Sequence, residues 1–160
     1  MVTSTNGHAV MHYFERCKLQ AYPDPGTGAD PWTIGWGDTG PDVVPGLCIT
    51  RAEADRRFAA RLADEFEPCV LKAMRKRVPD QGQFDAFVCL AYNIGCTAFA
   101  NSTMVHMFNM LHPGVENQFR RWDRSGGSSM LGLRRRRAAE RALYLGSSGA
   151  KAILIGASAR

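Results

Sequence analysis

Glu15, Asp24 and Thr33 recur at intervals of nine residues, and each falls in a different kind of local pattern. Glu15 lies on a helical stretch, Asp24 in a Pro/Gly loop and Thr33 on a short alternating run. Inverting cleavage of a glycosidic bond needs a carboxylic acid to protonate the leaving oxygen. It also needs a carboxylate on the opposite face to activate water. Glu15, four residues after Met11 and four before Leu19, borders an apolar stripe. Partial burial there suits a carboxyl that must hold a proton. Asp24, between Pro23 and Pro25, is held extended in a polar loop, which suits a carboxylate that stays ionised. Thr33 has the opposite strand parity to Trp32, Ile34 and Trp36. If those three face a core, the Thr33 hydroxyl faces a cleft, where it could hold the attacking water. Taken singly, a helical Glu is ordinarily a solvated charge and an Asp beside Pro and Gly a turn former. The combination makes the case.

The elements that must position these groups follow from apolar spacing and stop signals. Val10, Met11, Phe14, Cys17 and Ala21 predict a first helix, capped by Thr5 or Asn6 and ended by Pro23. Residues 23–31 read as a loop, Trp32 to Trp36 as a strand and Val43-Val44 as the core of a return strand. Thr50 and Glu53 form a capping-box pattern before a long helix that Pro68 should kink or break. Pro79-Asp80 opens a strongly apolar helix closed by Gly95, and Asn101-Ser102-Thr103 caps another. A short helix near Val115 to Trp122 and one from about Leu133 to Leu145 complete the set. The Gly/Ala/Ser-rich tail, 147–160, should fray, with Ile153-Leu154-Ile155 able to dock. The expected architecture is α+β in one domain, 1–160. A small β lobe spans about 20–50, and a long helix joins it to a helical lobe of about 70–146 plus the N-terminal helix. The cleft between lobes is the expected site.

With 160 residues, 45% hydrophobic and 22% charged, the chain has the bulk of an ordinary globular domain. A net charge of +5 favours polyanionic neighbours such as nucleic acid, anionic wall glycans or membrane surfaces. No nucleic-acid-binding motif is present, so no specific nucleic-acid partner is expected. The five cysteines, Cys17, Cys48, Cys69, Cys89 and Cys96, include no CxxC spacing and read as mostly reduced thiols of which one pair could oxidise. His8 and His12 lie one turn apart without a third ligand, so neither a metal nor any cofactor is expected. No signal peptide and no membrane-spanning apolar run is visible. Synthesis in the cytoplasm is expected, with another agent carrying the protein outward if its target lies there.

The segment Phe14 to Gly40 resembles the phage-T4-type lysozymes, the endolysins of glycoside hydrolase family 24. The family pattern runs Glu, Leu-x-Ala-Tyr-x-Asp, a Gly-bearing loop, then Thr-Ile-Gly-Tyr-Gly-His-Thr. This chain has Glu15, Leu19-Gln20-Ala21-Tyr22-Pro23-Asp24 and Thr33-Ile34-Gly35-Trp36-Gly37-Asp38-Thr39. Later segments also look like the family: Phe84-Asp85-Ala86-Phe87 with Ala91-Tyr92-Asn93-Ile94-Gly95, Phe119-Arg120-Arg121-Trp122, and Gly132-Leu133 leading into Arg136-Arg137-Ala138-Ala139-Glu140. The resemblance implies a two-lobed lysozyme-like fold. It implies a monomeric muramidase acting on the glycan strand of peptidoglycan after delivery to the wall by a holin or similar route. It assigns Glu15 as acid, Asp24 as base or electrostatic partner and Thr33 as third member, with inversion as outcome and Tyr22, Asn93 and Arg137 as substrate-binding residues. A catalytically impaired wall-binding module of the same fold is the alternative.

Two departures stand out. Arg16 follows the acid where Gly is usual, and Asp38 stands where the family usually has His. Any ion pair built on that imidazole is therefore absent or reversed. In the run Arg134 to Arg137, Arg134 and Arg137 share a helical face, and Arg137 is the expected partner of Glu15. Asn93 could instead act as a C-terminal cap. The strand parity of Trp32 and Trp36 favours a core role over sugar stacking.

Overall fold

The Ser4 hydroxyl accepts from the Asn6 N–H at 3.2 Å and opens helix α1, Thr5–Glu15. In this computed structural model, which describes residues 1–23, 28 and 30–160, α1 is shorter than expected. It stops at Glu15 because Arg16 turns the chain through a left-handed backbone, φ 52°. Residues that seemed to continue the helical stripe instead form strand β1, Lys18–Pro23. β1 pairs antiparallel with β2, Trp32–Gly35, with Tyr22 opposite Thr33 and Pro23 opposite Trp32. The other edge of β1 is met by residues 47–49 and not by Val43-Val44. The Ala21 N–H donates to the Leu47 carbonyl at 2.8 Å, and the Ile49 N–H to the Leu19 carbonyl at 2.9 Å. Val43 instead packs beside Ala21 and Ile34 in a small apolar cluster.

Helix α2, Arg51–Arg61, starts from Thr50, whose hydroxyl accepts the Glu53 N–H. Beyond α2 the helical path continues through Pro68 without a break. A π-helical segment, Leu62–Phe66, lets the Glu67 N–H reach back to the Leu62 carbonyl, and α3, Glu67–Ala73, continues with Pro68 in its first turn. A proline there has no N–H to leave unpaired, so it is tolerated.

Helix α4, Gln81–Ile94, carries a full capping box between Asp80 and Gln83 and lies at the centre of the main core. Around it pack α5, Cys96–Ala100, α6, Thr103–Asn109, the 3-10 helix Val115–Trp122 and α7, Leu131–Tyr144. A two-residue hairpin, β3 (Arg124–Ser125) and β4 (Ser128–Ser129), precedes α7. The tail does not fray: Ser148 caps α8, Gly149–Ser158. Its buried residues are Gly149, Ala152 and Gly156, and a Cβ on Gly156 would lie 2.6 Å from the Arg135 carbonyl oxygen. The glycine permits that approach to α7. The Gly149 N–H also donates to Asn6 Oδ1 at 2.8 Å, fastening α8 to α1.

Cys69 of α3 and Cys96 of α5 are joined in a disulfide, the one pair whose oxidation the sequence left open. Cys17, Cys48 and Cys89 are free. The two bonded residues are distant in sequence and meet only because α3 and α5 pack together. Among the described residues, no helix is long and apolar enough to cross a membrane.

Candidate active site

Glu15 is the last residue of α1, and the turn at Arg16 leaves its side chain 18% exposed between the sheet region and α7. Its Oε1 accepts from Arg136 Nη1 at 2.6 Å. Its Oε2 lies where the chain turns after β2: a Cβ on Gly37 would stand 3.3 Å from it. Gly37 also has φ 96°, so a side chain there would be strained and would crowd the carboxylate. Tyr92 closes the same corner by donating its hydroxyl to the Trp36 carbonyl at 2.8 Å. Burial raises the Tyr92 phenol well above its ordinary value, and the nearby Glu15 charge adds to the effect. It therefore stays a hydrogen-bond donor at any working pH.

The partner of Glu15 is Arg136, and the expectation of Arg137 is corrected. Adjacent helical residues point about 100° apart, and the end of α1 meets the face that carries Arg136. Arg136 is buried and also donates to Glu140 Oε1 at 3.1 Å and to the Cys89 carbonyl at 3.4 Å. Burial alone would lower the Arg136 pKa, but Glu15 and Glu140 outweigh it and leave it raised. Arg137 turns the other way and donates to Asn93 Oδ1 at 2.6 Å, while its Nε approaches Glu140 Oε2 at 3.2 Å. Glu140 is fully buried between the two guanidiniums. A continuous polar chain thus runs Glu15, Arg136, Glu140, Arg137, Asn93. Asn93 is exposed and is not a cap: Gly95 ends α4. With its oxygen held by Arg137, its amide N–H group makes no hydrogen bond among the described residues.

Thr33 and Tyr22 are direct partners across the β1–β2 ladder, and both are half-buried. Opposed residues of an antiparallel pair project to the same side of the sheet. Asp24 lies outside the described residues, so of the three expected catalytic residues the structure places Glu15 and Thr33. Of the three expected substrate-contact residues, Tyr22 faces Thr33 in the ladder, while Asn93 and Arg137 are hydrogen-bonded to each other and Arg137 is only 1% exposed. Sequence reasoning missed Arg136 and Glu140. Their signal was available: Glu140 sits among Ala139, Ala142 and Leu143, and a charge on an apolar helical face is ordinarily paired.

Asp38 realises the reversed ion pair. It is buried, with Oδ2 3.2 Å from Arg57 Nη1 and Oδ1 3.7 Å from Arg61 Nη1. Arg57 also holds Asp42 at 2.7 Å and Glu53 at 2.9 Å, and Arg61 donates to the Gly37 carbonyl at 3.2 Å. The turn beside Glu15 is therefore tied to α2 by arginines. Trp36 takes a core role: it is buried and stacks on His12 with centroids 3.8 Å apart. Its indole N–H donates to Asp55 at 2.7 Å.

The chain matches the family model described as phage lysozyme over residues 12–140. It is 37% identical over 145 residues to an endolysin of Bacillus phage PZA, covering 90% of this chain and 55% of that protein. It is 34% identical over 151 residues to an endolysin of Salmonella phage P22, covering 91% of this chain and 99% of the relative. An endolysin from Escherichia coli O157:H7 phage FAHEc1 superposes with a TM-score of 0.79 at 32% identity, covering 91% and 94% of the two chains. The chain spans about half the length of the two Bacillus phage relatives it matches, at 55% and 54%.

Proposed function

The chain belongs to the phage lysozyme family, and from that premise we propose that it is a peptidoglycan hydrolase. It cuts the β-1,4 bond between N-acetylmuramic acid and N-acetylglucosamine. The observation that carries this reading is the Glu15 carboxyl: part-exposed at the end of α1, fixed by Arg136, with Oε2 in the space that a side chain on Gly37 would crowd.

In this reading Glu15 gives its proton to the glycosidic oxygen as the bond from the muramic acid C1 breaks. A water attacks C1 from the opposite face and passes a proton to Asp24. The Thr33 hydroxyl helps hold that water, and the new reducing end has inverted configuration. Arg136 orients the acid without committing a whole positive charge to it, because Glu140 shares the guanidinium. Tyr22, beside Thr33 in the ladder, and Asn93, with its free amide N–H, are the sugar-binding groups. Arg137 acts through Asn93. The protein works as a monomer on the wall and reaches it by a holin or similar route.

Mass spectrometry of digested sacculi tests the bond, and the anomer of the fresh reducing end tests the stereochemistry. Loss of lysis in Glu15→Gln with the fold intact supports the acid role. If wild type and Glu15→Gln both bind sacculi and neither releases fragments, the protein is a wall-binding module and the hydrolytic reading fails.

A further inference from the structure

Between α7, the 3-10 helix and the end of α8 lies a cavity of about 450 Å³ lined by Arg120, Arg134, Arg137, Arg141 and Arg160. Among the described residues Asp123 is the one acidic side chain of the lining, and its carboxylate already accepts the Ser129 hydroxyl at 2.8 Å. Like charges gathered around a concavity repel one another unless something opposes them. Arg137 is 1% exposed, yet its Nη1 makes no hydrogen bond, and its Nε faces Glu140 without hydrogen-bond alignment. The Nε of Arg141 is also buried and unpartnered. Buried donors left unpaired are costly; these atoms are sealed from solvent, so they mark concentrated positive charge behind the cavity wall and are not contact points in it. Arg136, which serves Glu15, projects from a different face of α7 and does not line this cavity.

We propose that this cavity is an anion site that takes a phosphoryl group carried on a small polar unit, such as a glycerol phosphate or sugar phosphate. Guanidinium forks match phosphoryl oxygens, and a dianion answers several cations where one carboxylate answers one. The space holds such a unit. The site is concave, which suits a discrete headgroup over a flat lipid surface. It shares Arg137 with the polar chain that ends at Asn93, but its test reads phosphate binding and does not depend on cleavage.

Titration calorimetry of the full chain with glycerol phosphate and inorganic phosphate tests the site, with chloride and acetate at matched ionic strength. Saturable binding is expected for both phosphates, weaker by about tenfold in Arg120→Gln and in Arg141→Gln, the scale of one lost charge-assisted hydrogen bond. Arg120 is exposed, so its variant reports binding without risk to the core. A rise in the unfolding midpoint with phosphate, absent in both variants, gives a second readout. Absence of saturable heat at about 10 mM phosphate overturns the proposal, as does equal binding of acetate. Binding to phosphatidylglycerol vesicles without binding to either soluble phosphate would also overturn it, in favour of a membrane-facing patch.

Discussion

Glu140 has no exposed surface and balances two guanidiniums, one leading to Glu15 and the other to Asn93. Replacing it by Gln keeps the shape and removes the charge, leaving Arg137 without a counter-ion. Breaking a buried ion pair costs about 3–5 kcal/mol. Urea unfolding of Glu140→Gln should show a loss on that scale, and an unchanged midpoint would refute the pairing. Arg16 offers the opposite change. Its backbone sits at φ 52°, a conformation that costs a non-glycine residue roughly 1–3 kcal/mol, of which the extra chain entropy of glycine takes back part. Arg16→Gly should therefore stabilise the protein by about 1 kcal/mol, measured as a higher urea midpoint. The left-handed turn after Glu15 is one that glycine adopts without strain. At this scale Glu15 and the Arg136-Arg137 pair were visible as residue types, but which arginine meets Glu15 was not. That depends on where the end of α1 lands against α7, which sequence spacing does not contain.

Helix α2 carries a dense charged face, and its carboxylates set an acid limit. Hydrogen bonds from Arg56 and then Arg57 hold the Glu53 carboxyl down at about 2, below its ordinary 4.5. Asp42, bound by Arg57, and Asp55, bound by the Trp36 indole, are also lowered. A depressed carboxylate contributes stability above its unfolded pKa and loses it as pH falls through the folded value. Unfolding midpoints should hold near neutrality and fall as pH drops from about 4.5 toward 2, and Glu53→Gln should flatten that slope. The π segment before Pro68 shows why local rules misread this helix. A proline warns of a break, yet one wider turn absorbs the missing N–H. The length of α1 was misread for a related reason. Apolar residues to Ala21 fit a helical period, and only pairing with β2 and residues 47–49 reveals a strand. α8 was misread because Gly, Ala and Ser suggest fraying. In the folded chain Gly149, Ala152 and Gly156 are the small faces that permit close packing. Gly156→Ala should cost about 1–3 kcal/mol, the usual penalty of overpacking, readable as a lower melting temperature.

Across the whole molecule, the Cys69–Cys96 disulfide closes a loop across 27 positions that contains all of α4. Loop closure on that scale is worth about 3–4 kcal/mol. Reductant should lower the melting temperature, and Cys69→Ala should remove the reductant response. The net charge of +5 acts on the same scale. If the target is an anionic wall, the rate should fall with added salt as the screening length shrinks from about 30 Å at 0.01 M to about 8 Å at 0.15 M. A rate indifferent to salt would remove charge from the account of wall capture. α8 has a reach that its position late in the chain conceals. It is hooked to Asn6 at one end of the same helix whose other end presents Glu15. The last residues thus brace the back of the rod that carries Glu15, and trimming the chain at residue 147 would let that rod drift; under the proposed reading, damage far downstream would surface as a misdirected proton.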